Sequence, residues 1–131
     1  MTKICILLTV IVLFSPIPCS NRPAKIDYGE SDLYTMKERE IVANMIIEHF
    51  VQAKFFQNQL YTLDFAGDSI CSSQLAMYNR QEDKEYEECL VYIAHYSTPE
   101  AIKYFNQPER TTCFFYVKEP GGEWYLKGIG W

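Results

Sequence analysis

Two histidines, five cysteines and one dense run of carboxylates are the side chains in this 131-residue chain that could do chemistry. A structural zinc site needs cysteines and histidines at short, repeated spacings. No two cysteines here stand as Cys-x-x-Cys, and His49 and His95 are far from each other and from any cysteine. No metal is therefore expected, and Cys71, Cys89 and Cys113 are read as buried thiols that pack like small apolar side chains. The acidic run Glu82, Asp83, Glu85, Glu87 and Glu88 lacks the Asp/Asn-Gly spacing of a calcium loop, and it predicts a solvated loop over Asn79 to Glu88. There is no Gly-x-Ser-x-Gly elbow, no His-Glu-x-x-His helix and no glycine-rich loop opening a helix. The chain is expected to be non-catalytic and to need no cofactor.

The first 19 residues read as a signal peptide. Lys3 begins it, Ile4 to Phe14 are apolar except for Thr9, and Ser15-Pro16-Ile17-Pro18 end it. That apolar run is too short for a spanning helix, which needs about 20 residues, and matches a secretory leader. Cys19 follows where a lipoprotein carries its diacylglyceryl anchor, although Pro16 and Pro18 stand where the usual pattern has Leu and a small residue. Lipid attachment at Cys19 and cleavage with release both remain open. Residues 20–33 are expected as a flexible tether and 34–131 as a single domain. Export would place Cys71, Cys89 and Cys113 in an oxidising compartment, where three thiols allow one bridge at most.

The net charge is −5, from 12 basic and 17 acidic residues, and the basic ones are scattered singly. Nucleic acid and anionic lipid both attract clustered Lys and Arg, so neither is an expected partner, and membrane contact would come only through a lipid anchor.

The domain reads helix first, then strands. Thr35-Met36-Lys37-Glu38 has the form of a capping box, and the apolar residues from Ile41 to Val51 recur at three- and four-residue spacings. The period changes to two over Leu60 to Phe65, with a short second helix expected after Ala66-Gly67-Asp68-Ser69. Strands are expected again at Cys89 to Tyr96, Thr111 to Lys118 and Trp124 to Ile129, the last two joined by a Pro-Gly-Gly turn. The pattern predicts an α+β domain: a long N-terminal helix on a curved antiparallel sheet of about four strands. Pairing about the turns sets Val117 opposite Trp124, Phe115 opposite Leu126 and Cys113 opposite Ala94. A Cys89–Cys113 bridge is therefore not expected, and any single bridge would involve Cys71.

The helix start Tyr34-Thr35-x-x-Glu38, its close at Glu48-His49-Phe50, the strand Leu60-Tyr61-Thr62-Leu63-Asp64-Phe65 and the ending Gly121-Gly122-x-Trp124-x-Leu126 occur in that order behind a leader. This resembles a family of small uncharacterised lipoproteins and secreted proteins of Gram-positive bacteria, in the wider cystatin-like and NTF2-like group. Relatives there end in Gly-Tyr, whereas this chain ends Gly130-Trp131. The resemblance implies a helix packed in a curved antiparallel sheet and brings no activity with it. In NTF2-like enzymes acid/base residues line the pocket between helix and sheet. His49 with His95 or Asp64 are the residues that could do so here.

Strand parity points to a surface instead. It sends Tyr61, Leu63, Cys89, Val91, Phe115, Val117, Trp124 and Leu126 toward the helix. Tyr92, Phe114, Tyr116 and Tyr125 then make an aromatic outer face, expected to bind a protein partner or a second copy of the chain. A non-catalytic binding module is the leading expectation, with a small-molecule pocket protein or enzyme as the alternative.

Overall fold

The structure, a computed structural model, describes residues 24–52, 59–82, 84–97 and 110–130. The leader, Cys19 and Trp131 lie outside the described residues. Chain order is β1 (Lys25–Asp27), α1 (Met36–Gln52), β2 (Gln59–Phe65), α2 (Asp68–Gln81), β3 (Glu88–Ser97), β4 (Arg110–Lys118) and β5 (Tyr125–Gly130). The architecture is α+β: two helices and one five-stranded mixed sheet whose strands lie in sequence order. β1 runs parallel to β2, and every later pairing is antiparallel.

The strand beyond the expected four is β1, which falls inside the stretch expected as a tether. From Lys25 onward that stretch is built into the fold. Arg39 is buried in the first turns of α1 and donates through Nη1 to the carbonyls of Tyr28, at 2.8 Å, and Gly29, at 2.6 Å. Its guanidinium also lies 5.7 Å from the centre of the Phe65 ring. Gly29 has φ +59°, and a Cβ there would sit 3.1 Å from Phe65 Cδ2, so both backbone and space favour glycine.

Both helix starts differ in detail from the expected caps. The Glu38 amide donates to Thr35 Oγ1 at 3.1 Å, which is half of a capping box. The return half is missing: Glu38 Oε2 is buried without a hydrogen-bond partner. α2 begins after Gly67, which has no side chain to cap with, and Asp68 instead reaches across to Ser31 Oγ and the Asp32 amide. The Ser31 hydroxyl holds the Asp68 carboxyl below the usual carboxylate range. α2 also runs on to Gln81, so the expected charged loop from residue 79 is shorter. Asn79 closes it by donating to the Tyr86 carbonyl and accepting from the Tyr86 amide.

The two helices lie against opposite sheet faces, and for β3 and β4 this reverses the parity expected from sequence. Tyr92 donates its hydroxyl to the Arg39 carbonyl of α1 at 2.7 Å, and Phe50 of α1 meets the rings of Tyr96 and Phe114. Leu63, Phe65, Tyr92, Ala94, Phe114 and Tyr116 therefore face α1. On the other side, the Val91 amide donates to Cys71 Sγ of α2 at 3.4 Å, and Tyr78 of α2 packs edge-on against Phe115. Cys89, Val91, Phe115 and Val117, expected toward the first helix, share the α2 side. The alternation along each strand is as expected, but the faces of β3 and β4 are exchanged, while Leu63 of β2, Leu126 of β5 and Trp124 just before it lie on the α1 side as expected. Both sets are apolar because each has a helix over it, so polarity alone could not tell them apart.

Registers move by one place as well. Cys113 pairs with Ile93 and Cys89 with Val117, so these two cysteines stand four residues apart along the β3–β4 ladder. Cys71, Cys89 and Cys113 are free thiols, and burial pushes the first two up to about 11 and about 12. In the last hairpin Val117 pairs with Tyr125 and Tyr116 with Leu126, and a bulge then carries Phe115 on to Gly128. The turn closes through the Gly122 amide to the Glu119 carbonyl at 2.8 Å with Gly121 at φ +73°, which places a glycine where a type II turn demands one.

Candidate functional site

The aromatic outer face expected at Tyr92, Phe114, Tyr116 and Tyr125 does not exist as a surface. Tyr92, Phe114 and Tyr116 are only 0, 2 and 3% exposed beneath α1. Tyr125 alone reaches the surface, at 36%. A tyrosine on a strand suits a half-buried pleat as well as a buried one, so residue type does not separate the two cases.

The expected pairing of His49 with His95 is also absent. His49 is near the C-terminal end of α1, with its ring 5.5 Å from that of Phe114. His95 points from β3 to the opposite sheet face. There its Nε2 lies 3.6 Å from Asp64 Oδ2, and its Nδ1 lies 3.0 Å from Thr111 Oγ1 on the neighbouring strand. Hydroxyl, imidazole and carboxylate stand in a relay order, so Asp64, which sequence reasoning had set beside His49, lies beside His95 instead. Both ends of the ion pair are open to water, at 35 and 42% exposure. Screening leaves such a pair about 0–1 kcal/mol, the worth of a surface ladder.

The space that is open lies under the last turns of α1. A groove of about 300 Å³ runs between Met45, Glu48, His49 and Gln52 of α1 and Tyr116, Trp124, Tyr125 and Leu126 of the β4–β5 hairpin. The four α1 residues fall on one arc of a helix with about 3.6 residues per turn, next to the arc that buries Val42 and Ile46 in the core. One helix thus seals the centre of the sheet and overhangs its β5 side.

The groove is aromatic at its floor and polar at its rim. Gln52 Nε2 donates to Glu48 Oε1 at 2.9 Å, an i,i+4 pair that leaves the second carboxylate oxygen without a protein donor. Tyr116 is buried, yet its hydroxyl makes no hydrogen bond, and burial pushes that phenol up to about 12. Trp124 packs edge-on to Tyr34 with ring centres 6.1 Å apart, which fixes one wall. Among the described residues no Lys or Arg lines the groove. The nearest basic residue along β5, Lys127, is held on the other sheet face by Glu82 and the rings of Tyr78 and Tyr86.

Sequence reasoning named His49 and Tyr116 but joined neither to this groove. The available signal was the i, i+3, i+4, i+7 arc of Met45, Glu48, His49 and Gln52. Its partner wall needed the one-place register of the last hairpin. Among the described residues no three His, Cys, Asp or Glu side chains gather as a metal site, and no helix is long and apolar enough to cross a membrane. No family model, curated protein or solved structure matches the chain.

Proposed function

We propose that this chain is an exported, non-catalytic binding module, tethered to the cell surface through Cys19 or released, that works through the groove under the end of α1. The observation that carries the reading is the groove itself, open space of about 300 Å³ bordered by Tyr116, whose hydroxyl has no protein partner and is not sealed from solvent. A concave groove with an aromatic floor and a few polar groups at its rim suits a ligand, and the Tyr116 hydroxyl is one of the groups that can bond to it. The leader pattern at Lys3 to Phe14 supports export, and the cysteine directly behind it supports the tether. A helix laid over an antiparallel array of strands supports a cystatin-like or NTF2-like relationship, whose pocket would fall in the same place.

Two experiments test this. Intact mass of the protein from its native host should show a chain beginning at or just after Cys19, and retention of residues 1–18 would end the export reading. Amide chemical-shift mapping of the mature protein against a set of small aromatic and polar fragments should give changes clustered at Met45, Gln52, Trp124 and Leu126. Changes confined to other surfaces would remove the groove as the site.

A further inference from the structure

The proposed groove has a charge and shape preference that narrows its ligand. Its rim carries Glu48, whose carboxylate is met by one neutral amide and, among the described residues, by no cation. Its lining includes the partly exposed Trp124, an aromatic side chain with an electron-rich ring, and the buried Tyr116. The one cation on β5, Lys127, is engaged by Glu82 across the sheet and cannot neutralise Glu48. A chain of net charge −5 adds a field of the same sign. A bound anion would be repelled by that carboxylate, and a neutral ligand would leave its charge unused.

Resting on the groove being the binding site, we propose that it takes a small organic cation, an ammonium or guanidinium carrying apolar substituents, with its charge at Glu48 and its substituents against Trp124. A desolvated cation over an aromatic face is attracted by the ring quadrupole, and a carboxylate at the rim adds to that attraction. A volume of about 300 Å³ is at the lower end for ligand sites and suits a compact molecule. The Tyr116 hydroxyl can accept from an N–H or donate to a polar substituent of the same ligand. The cation could be a free metabolite or the basic side chain of a peptide, and both present the same chemistry.

The test titrates the mature protein with three probes, following amide shifts and binding heat: benzyltrimethylammonium, benzyl alcohol as its neutral counterpart, and a short peptide with a single central arginine. Benzyltrimethylammonium should shift the groove amides and bind more weakly as salt is raised, while benzyl alcohol should bind at least about fivefold more weakly, the worth of one partly screened charge contact. Glu48→Gln, at an exposed helical position, should fold normally and lose about fivefold in affinity for the ammonium alone. Trp124→Leu should weaken all binding at the groove, and Glu48→Gln keeps the proposal testable if that variant unfolds. A tighter peptide than ammonium would identify a basic side chain as the source, and the reverse a free cation. Equal binding of the ammonium and the alcohol, or an unchanged Glu48→Gln variant, would overturn the cation while leaving the groove as a site. Binding of no probe at these amides would overturn both.

Discussion

Two neighbouring arcs of α1 rest on the same sheet and meet opposite kinds of packing. On one, Val42, Ala43 and Ile46 close over Leu63 and Tyr92 with no exposed surface, and the Tyr92 hydroxyl is tied into the helix. On the other, Met45, Glu48, His49 and Gln52 stand off from the β4–β5 hairpin, and Tyr116 below them has no protein partner for its hydroxyl. Two tyrosines of one strand-face parity thus have different duties. Tyr92 is satisfied and structural, while the Tyr116 hydroxyl has no protein partner and is not sealed from solvent. The difference separates the part of the molecule that makes the fold from the part left for a ligand.

The contrast breaks most readily at Tyr92. Tyr92→Ser should cost about 3–5 kcal/mol by leaving a cavity in the sealed half, read from urea unfolding. A loss below about 1 kcal/mol would mean that this half is not solid. Tyr92→Phe should cost only about 1 kcal/mol, the net worth of one buried hydrogen bond. Gly29→Ala tests the strap that holds Arg39 over the same half. Strain at a left-handed backbone and contact with Phe65 should cost about 1–3 kcal/mol.

A smaller effect concerns Glu88, at the start of β3, whose carboxyl is raised by burial and by the charge of Glu38. A raised folded-state value favours the neutral acid, so its contribution is fully present below the unfolded value and is lost as pH rises through the folded one. Glu88→Gln should therefore raise the melting temperature at pH 7, and the gain should vanish near pH 4. A gain independent of pH would point to packing instead. Cys71 and Cys89 should react with a thiol reagent at pH 8 only as fast as the protein opens, because burial keeps both protonated. Rapid native labelling would place them outside the sealed region. The smallest effect belongs to the groove rim, where Gln52→Ala should change stability by no more than about 0.5 kcal/mol. A large loss there would make the rim part of the core and remove the contrast.

Much of this was legible along the chain because it depends on neighbours. The α1 stripe, the Thr35 cap, the turn at Gly121 and the alternation of each strand are local patterns, set by helical and pleated periods and by the backbone needs of single residues. The same locality explains why a Cys89–Cys113 bridge could be set aside even with the register one place out: four residues of separation survive a shift of one. What tertiary structure alone decided was which side of the sheet each helix takes. Tyr92, Phe114 and Tyr116 are apolar enough for a core and polar enough for a surface. Val91 and Phe115 on the other parity are no more polar, so only the positions of α1 and α2 assign the faces. The groove follows from the same decision. Its helical arc is written in α1, but its opposite wall exists only once β4 and β5 pair in their observed register, and that long-range choice leaves no mark in the spacing of residues.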